Sequence, residues 1–176
     1  MNKRLYVLTF SLGSLFCSPL FFGQVAITEP KELSNQDLVG PQRPDVFLQE
    51  PHKSWFLPEY EEYMLDQKTI EKIKKFDLSN LSIEVLVGSW CPDSHREYPR
   101  FIKIIEAVGF PMDKISITAL DRNKVEPSGS EKKKGVTYVP TFIYYLNGKE
   151  IGRIVEFPTS GYIERDMLSF IESASL

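Results

Sequence analysis

The sequence predicts an α/β fold in which helices flank a central, mixed β-sheet. Three short runs rich in β-branched and aromatic residues, at 83–87, 114–120 and 141–146, are typical of buried strands. An Asn-Gly pair at 147–148 is a strong hairpin signal, and residues 150–157 supply the returning strand. The order of the elements therefore combines one parallel crossover with one antiparallel hairpin.

Helices are predicted both before and after these strands. Apolar residues recur at helical spacing over residues 92–108, where Pro99 should kink the helix, and again over residues 162–172. The same spacing predicts helix over residues 59–76. Asp66 could cap a new helix start within that stretch, so one helix and two helices are both compatible with the pattern.

The N-terminal segment has the pattern of a secretory signal peptide. Lys3 and Arg4 precede an uncharged apolar run at residues 5–23, which ends in a small residue. We expect cleavage after Gly23, export to the periplasm or cell envelope, and no stable membrane insertion of the mature chain. The apolar run is also about long enough to span a bilayer, so a retained membrane anchor is the alternative.

Residues 24–58 are predicted to form an extended lead-in that crosses the surface of the folded domain. They contain five prolines and few periodic apolar positions, and a short strand is expected at residues 45–49. The folded domain is then expected to span residues 59–176.

The charge of the chain argues against a nucleic-acid partner. The net charge is −3, and it becomes more negative when the signal peptide is removed with Lys3 and Arg4. A nucleic-acid surface needs clustered positive charge. The basic run at residues 132–134 lies in a stretch, residues 122–134, that is predicted as loop or poorly formed helix, and a solvated loop explains it.

Cys91 is the only cysteine that remains once the signal peptide is removed, so no internal disulfide can form. A lone cysteine in an oxidising compartment indicates a reactive thiol, an intermolecular partner or a buried, inert residue. Cys91 follows a predicted strand and begins a predicted helix, whose unpaired N–H groups and positive dipole end stabilise a thiolate. Pro92 suits the first helical position because its missing N–H would be unpaired there.

The segment around Cys91 resembles the active site of the thioredoxin family. Residues 90–94 read Trp-Cys-Pro-Asp-Ser, where that family has Trp-Cys-x-x-Cys. Pro99 falls at the family's helix-kinking proline, and residues 135–141 look like the segment that carries its cis-proline. The resemblance covers residues 66–172 and is nearest in pattern to bacterial envelope thioredoxin-like proteins with a Trp-Cys-x-Asp-Ser site.

This resemblance implies a thioredoxin-like fold and a role for each matching residue. Cys91 would be the attacking nucleophile. Trp90 and Pro92 would border it and contact substrate, while Val139 and Pro140 would lie against it, with the Val139 backbone pairing an extended substrate strand. The Val139–Pro140 peptide bond is expected to be cis.

Two departures from the family pattern change the expected chemistry. The second active-site cysteine is replaced by Ser94, whose hydroxyl cannot attack a mixed disulfide. The family's buried carboxylate falls on Val85, and strand alternation points the neighbouring Glu84 to the other face of the sheet. We therefore expect a monothiol catalytic site, formed by Cys91 and Ser94, that lacks this acid.

The two histidines of the chain are further candidate functional residues. His95 lies four residues after Cys91, so the two side chains could share a helix face and form a Cys–His pair. The alternative, which this position in the family favours, is an exposed histidine. His52 has no evident partner, and two scattered histidines with one cysteine predict no metal site and no cofactor.

The sequence thus predicts a monothiol thiol–disulfide oxidoreductase or isomerase of the cell envelope. Its partners would be disulfide-containing or thiol-containing proteins, or small thiols, and an external thiol would resolve the mixed disulfide on Cys91. One alternative is a thioredoxin-fold binding or chaperone module with little redox turnover. Another is a glutathione-dependent monothiol enzyme, because Cys-Pro-x-Ser is also similar to glutaredoxin-like sites.

Overall fold

The computed structural model describes residues 37–175. The predicted signal peptide, its cleavage after Gly23 and the first part of the lead-in, residues 24–36, lie outside the described residues. Within residues 37–175, no helix has the length and apolar character needed to cross a membrane.

The described chain contains five strands and five α-helices. The strands are β1 (Gly40–Gln42), β2 (Leu81–Val87), β3 (Ile115–Ala119), β4 (Thr141–Leu146) and β5 (Lys149–Val155). The α-helices are α1 (Lys53–Glu62), α2 (Gln67–Ile73), α3 (Pro92–Val108), α4 (Ser130–Lys133) and α5 (Ile163–Ala174). Short 3₁₀ helices lie at Pro44–Leu48 and Met112–Lys114.

The five strands form one mixed sheet in the order β1-β3-β2-β4-β5. The parallel pair, β2 and β3, is connected through α3, whereas β4 and β5 are antiparallel neighbours. Asn147 and Gly148 between them have φ values of 51° and 75°, the left-handed conformation that tight two-residue hairpin turns require. The predicted α/β fold, with a central mixed sheet and flanking helices, is confirmed.

The lead-in differs from its prediction. The strand expected at residues 45–49 is wrong, because Pro44–Leu48 is a 3₁₀ helix with proline at its start. Proline fixes φ and lacks the N–H that a strand ladder needs, and Phe47 is buried in the core with its ring centroid 4.6 Å from that of Tyr98. The strand lies earlier, at β1, which pairs antiparallel with β3.

The helical region before β2 consists of two helices, which decides between the two alternatives. The first, α1, begins at Lys53, six residues before the predicted start at residue 59. The second, α2, begins after Asp66, whose carboxylate accepts a hydrogen bond from the Thr69 N–H at 3.3 Å. The predicted N-cap is therefore confirmed.

The sheet carries a different hydrophobic cluster on each face. Alternate residues of the central strands, Val85 and Tyr144 among them, pack with α1, α2, α3 and α5 in the larger cluster. The intervening residues Leu86 and Ile143 belong to a smaller cluster that also contains Cys91. The thiol therefore lies at the edge of the face that the long helices leave uncovered.

One close contact between sheet and helix gives a test of this packing. A Cβ added to Gly152 in β5 would collide with the Phe170 ring of α5. Gly152→Ala should therefore lower the free energy of unfolding by ~1–3 kcal/mol, as overpacking does. In a Phe170→Ala background, most of this loss should disappear, as measured by urea denaturation. Equal losses in both backgrounds would contradict the described contact.

Candidate active site

Cys91 is the N-cap of α3, directly after the turn that ends β2. Its N–H donates to the Gly88 carbonyl at 2.9 Å, and its own carbonyl accepts from the His95 N–H at 3.0 Å. Pro92 occupies the first helical position, as the sequence predicts. These contacts hold the Cys91 backbone at the end of the helix where N–H groups are unpaired and the dipole is positive. Cys91 is a free cysteine, and 7% of its surface is exposed.

The segment before β4 meets Cys91 from the opposite side. The Val139–Pro140 peptide bond is cis, as predicted from the motif. The Cys91 thiol donates a hydrogen bond to the Val139 carbonyl at 3.2 Å. The Thr141 hydroxyl donates to the Tyr138 carbonyl at 2.7 Å, which fixes this segment on its own strand. Val139 is buried, whereas Tyr138 is 49% exposed and lies at the rim of the site.

Ser94 has a structural contact of its own. It is 1% exposed, and its hydroxyl oxygen accepts a hydrogen bond from the Gly88 N–H at 3.0 Å. This bond ties the first turn of α3 back to the turn that precedes Cys91. The position at which the thioredoxin family has its second thiol is therefore filled by a buried hydroxyl that stabilises the turn.

Trp90 closes the site from the β3 side. Its indole N–H donates to the Leu120 carbonyl at 2.9 Å, so the ring lies across the turn. A Cβ added to Gly88 would lie 2.9 Å from Trp90 Cε2 and 3.1 Å from Val139 Cγ2. Glycine is needed at position 88 because any side chain there would push these two residues apart.

His95 follows neither of the two sequence expectations. Its Nε2 lies 2.7 Å from the Ser89 carbonyl, and its ring stacks on Trp55 with centroids 4.2 Å apart and an angle of 11° between the planes. The expectation of an exposed histidine is wrong because Trp55 covers the ring. The Cys–His pair does not form either, since the imidazole bonds to Ser89 and the thiol bonds to Val139.

His52 is a buried histidine for which the sequence indicates no partner. Its ring packs against Phe47 and Trp55, with centroids 5.8 and 6.0 Å away. Burial lowers the pKa of His52 below its usual value, and the positive charge of a protonated His95 lowers it further. Aromatic packing against α1 thus links both histidines to the turn that holds Cys91.

Val85 and Glu84 lie on opposite faces of the sheet, as strand alternation predicts. Val85 is buried in the larger hydrophobic cluster. Glu84 points to the other face, where its carboxylate pairs with Lys134 at 2.8 Å and accepts a hydrogen bond from the Tyr145 hydroxyl at 3.2 Å. Across residues 37–175, no group of three His, Cys, Asp or Glu side chains is arranged to hold a metal ion.

Comparison with known proteins shows similarity at the level of the fold. No family model and no curated protein matches the chain. A protein of unknown function from Pseudomonas aeruginosa aligns with 14% identity and a TM-score of 0.59, over 76% of this chain and 93% of that one. An HIV epitope scaffold aligns with 14% identity and a TM-score of 0.58, also over 76% of this chain and 93% of the other. A thioredoxin from Fasciola hepatica aligns with 19% identity and a TM-score of 0.38, over 60% of this chain and 89% of that one.

The topology itself defines the class of fold. The chain has a thioredoxin-like fold, because a parallel crossover through α3 is followed by the antiparallel β4–β5 hairpin in a sheet of order β1-β3-β2-β4-β5. A cysteine at the N-terminus of α3 then faces the cis Val139–Pro140 bond before β4.

The pKa of His52 predicts a dependence of stability on pH. Because the folded-state pKa lies below the unfolded value of about 6.5, the unfolded chain binds the proton first as the pH falls. The stability from neutral His52 is therefore fully present above about pH 6.5 and is lost as the pH falls towards the folded-state pKa. His52→Phe keeps an aromatic ring and should reduce the fall in unfolding free energy between pH values of about 7 and 5. Identical pH profiles for both proteins would contradict this prediction.

Proposed function

We propose that this protein is a monothiol thiol–disulfide oxidoreductase of the cell envelope, with Cys91 as its nucleophile. The observation that carries the proposal is the position of the Cys91 thiol between the N-terminus of α3 and the Val139 carbonyl. A helix N-terminus favours the thiolate, which is the attacking form of cysteine.

The reaction is an exchange of sulfur partners. The Cys91 thiolate attacks one sulfur of a client disulfide, the client S–S bond breaks, and a new S–S bond joins the client to Cys91. The second client sulfur leaves as a thiolate and takes up a proton. Each exchange forms one disulfide bond and breaks one, so no further oxidant or reductant is needed for this step.

The mixed disulfide must then be resolved from outside the chain. Ser94 carries no thiol, and its oxygen is already engaged with the Gly88 N–H. An external thiolate can attack the client sulfur, which returns Cys91 to its thiolate form and leaves the client in a new disulfide. It can instead attack the Cys91 sulfur, which releases the client as a thiol and leaves Cys91 in a disulfide with the external thiol, and a second external thiol then attacks that disulfide and frees Cys91. The first route suits isomerisation or transfer of an adduct, and the second suits reduction by a thiol donor.

The surface around Cys91 suits an extended client segment. Val139 lies beside the thiol with its carbonyl directed at Sγ, and a client backbone N–H that took this acceptor would release the thiol from its hydrogen bond. Trp90 packs against the cluster that contains Cys91 and Val139, Pro92 follows Cys91 at the helix start, and exposed Tyr138 directly precedes Val139. The assignment to the cell envelope rests on the signal-peptide pattern of residues 1–23.

One observation favours a second candidate function. The thiol is largely buried and donates to a carbonyl, an arrangement that also suits a resting binding module in which Cys91 does not react. Such a module would use the Trp90 and Tyr138 rim to hold a peptide without forming a covalent bond to it.

Covalent trapping separates these two functions. Cells that express the wild type should contain mixed disulfides between the protein and envelope proteins, seen on non-reducing gels after alkylation of free thiols. Cys91→Ser should abolish them. Ser94→Cys should reduce them several-fold, because a thiol one helical turn from Cys91 can displace the client. The same substitution should raise insulin-reductase activity.

Two control variants make the result specific. Ser94→Ala removes the hydroxyl and its hydrogen bond to the Gly88 N–H without adding a thiol, so it measures the effect of the altered turn alone, and Ser94→Cys should lower the adducts several-fold further. Ser79→Cys adds a thiol at an exposed position before β2, at the end of the strand remote from Cys91, and should leave the adducts unchanged. Absence of adducts in every variant would favour the binding module. Adducts with glutathione alone would favour the glutathione-dependent enzyme.

A further inference from the structure

The segment between β3 and α4 places two cations over aromatic rings that neighbour the proposed site in the sequence. The Arg122 guanidinium carbon lies 5.9 Å from the centre of the Trp90 ring, and Lys124 Nζ lies 4.9 Å from the centre of the Tyr138 ring. Trp90 directly precedes Cys91, and Tyr138 directly precedes Val139. Trp90 and Tyr138 therefore each hold a positive charge against one face of the ring.

Lys124 is held in place by a tight turn. Its N–H donates to the Asp121 carbonyl at 2.8 Å, and the Asp121 N–H donates to the Val125 carbonyl at 3.0 Å. Its φ of 61° lies in the left-handed region, which is sterically unfavourable for residues other than glycine and asparagine. The backbone conformation does not require lysine, so the charged side chain needs another explanation.

The carboxylates of the same segment are tied to its own backbone. Asp121 accepts hydrogen bonds from the N–H groups of Asn123 and Val125 at 2.8 and 3.0 Å. Buried Glu126 accepts from the Ser128 hydroxyl and from the N–H groups of Ser128 and Ser130, which lowers the pKa of Glu126 to about 2. These acids serve to shape the segment, and Lys124 projects from it as a cation.

The two cations differ in their partners. Arg122 pairs with Asp37 at 2.7 Å. Among the described residues, no carboxylate lies within 4 Å of Lys124 Nζ. On the helix side of the thiol, Asp93 is paired with Arg96 at 3.0 Å. Of the two cations, Lys124 is therefore the one that forms no ion pair with another described residue.

One acidic residue lies close to the same segment. The Glu156 N–H donates to the Pro140 carbonyl at 2.7 Å, and Glu156 forms no ion pair within residues 37–175. Glu156 therefore joins the proposed site through its backbone, and the unpaired charge beside Tyr138 is the ammonium group of Lys124.

We propose that Lys124 directs Cys91 towards disulfides whose neighbouring residues are acidic. This inference rests on the proposed function and specifies its substrate class: protein disulfides with Asp or Glu beside the attacked sulfur. A client segment that pairs with the Val139 backbone passes Tyr138, where its carboxylate would meet the ammonium group of Lys124. Charge complementarity at such an exposed rim acts chiefly on the rate of association and weakens as salt screens it.

The test uses three synthetic peptides that differ only in the residues next to a single cysteine, which are Glu, Gln or Lys. The cysteine is activated as a 2-pyridyl disulfide, so attack by Cys91 forms a peptide–Cys91 disulfide and releases 2-thiopyridone, whose absorbance gives the rate. The full chain carries Cys17→Ser, which leaves Cys91 as its only cysteine. At low salt, the Glu peptide should react about three- to tenfold faster than the Lys peptide. The difference should shrink at an ionic strength of about 0.5 M.

Charge-reversal variants assign the effect to one residue. Lys124→Glu should invert the order of the Glu and Lys peptides when each rate is divided by the rate of the same variant with the Gln peptide. Lys149→Glu makes the same charge change at an exposed position of the β4–β5 hairpin, at the end of the sheet remote from Cys91, and should keep the wild-type order.

The possible failures of the two proposals are distinguishable. Equal rates for the Glu and Lys peptides at low salt, or the same effect from Lys124→Glu and Lys149→Glu, would overturn the acidic-client inference alone. Failure of all three peptides to react with the folded protein would overturn the proposed function and this inference with it.

Discussion

The close packing of the β2–α3 turn against the segment before β4 is the contact on which the site depends. Gly88 lies so near Trp90 and Val139 that it has no room for a side chain, and its N–H is bound by the Ser94 hydroxyl. This packing brings the Cys91 thiol to 3.2 Å from the Val139 carbonyl. Close-packed interiors transmit small volume changes, so a larger residue at position 88 would displace the groups around the Cys91 thiol. Both the nucleophile and the proposed client strand are positioned by the same few contacts.

Ser94 gives this site its distinctive chemistry. A cysteine here would offer an internal thiol to release a client, whereas the serine offers a hydrogen bond that stabilises the turn. The proposed enzyme therefore keeps the nucleophile and its surroundings but depends on a second thiol from solution or from a partner. The lifetime of the mixed disulfide on Cys91 is therefore set by the rate at which that second thiol reacts with it. The cation at Lys124 then matters because selectivity must arise when a client first docks, before the intermediate forms.

Local sequence patterns predicted much of the fold, and long-range contacts explain most of what they missed. The bounds of β4 were predicted to the residue and those of α3 approximately, because a proline start, amphipathic spacing and an Asn-Gly turn are local signals. The strand expected at residues 45–49 failed because Pro44 and the burial of Phe47 favour a 3₁₀ helix there. The stacking of His95 on Trp55 joins residues forty positions apart, so no local periodicity could reveal it. The position of Cys91 beside Val139 followed from the motif resemblance alone.

The proposed role of Cys91 as a nucleophile is tested by the reactivity of its thiol in the folded chain. In a Cys17→Ser background, the second-order rate constant for reaction with 2,2′-dithiodipyridine is measured at neutral pH for the folded protein and for the chain unfolded in urea. We predict that the folded protein reacts at least about tenfold faster, because a helix N-terminus favours a thiolate, and that one thiopyridone is released per chain. A folded protein that reacts more slowly than the unfolded chain would contradict it, since Cys91 would then be a buried, inert thiol.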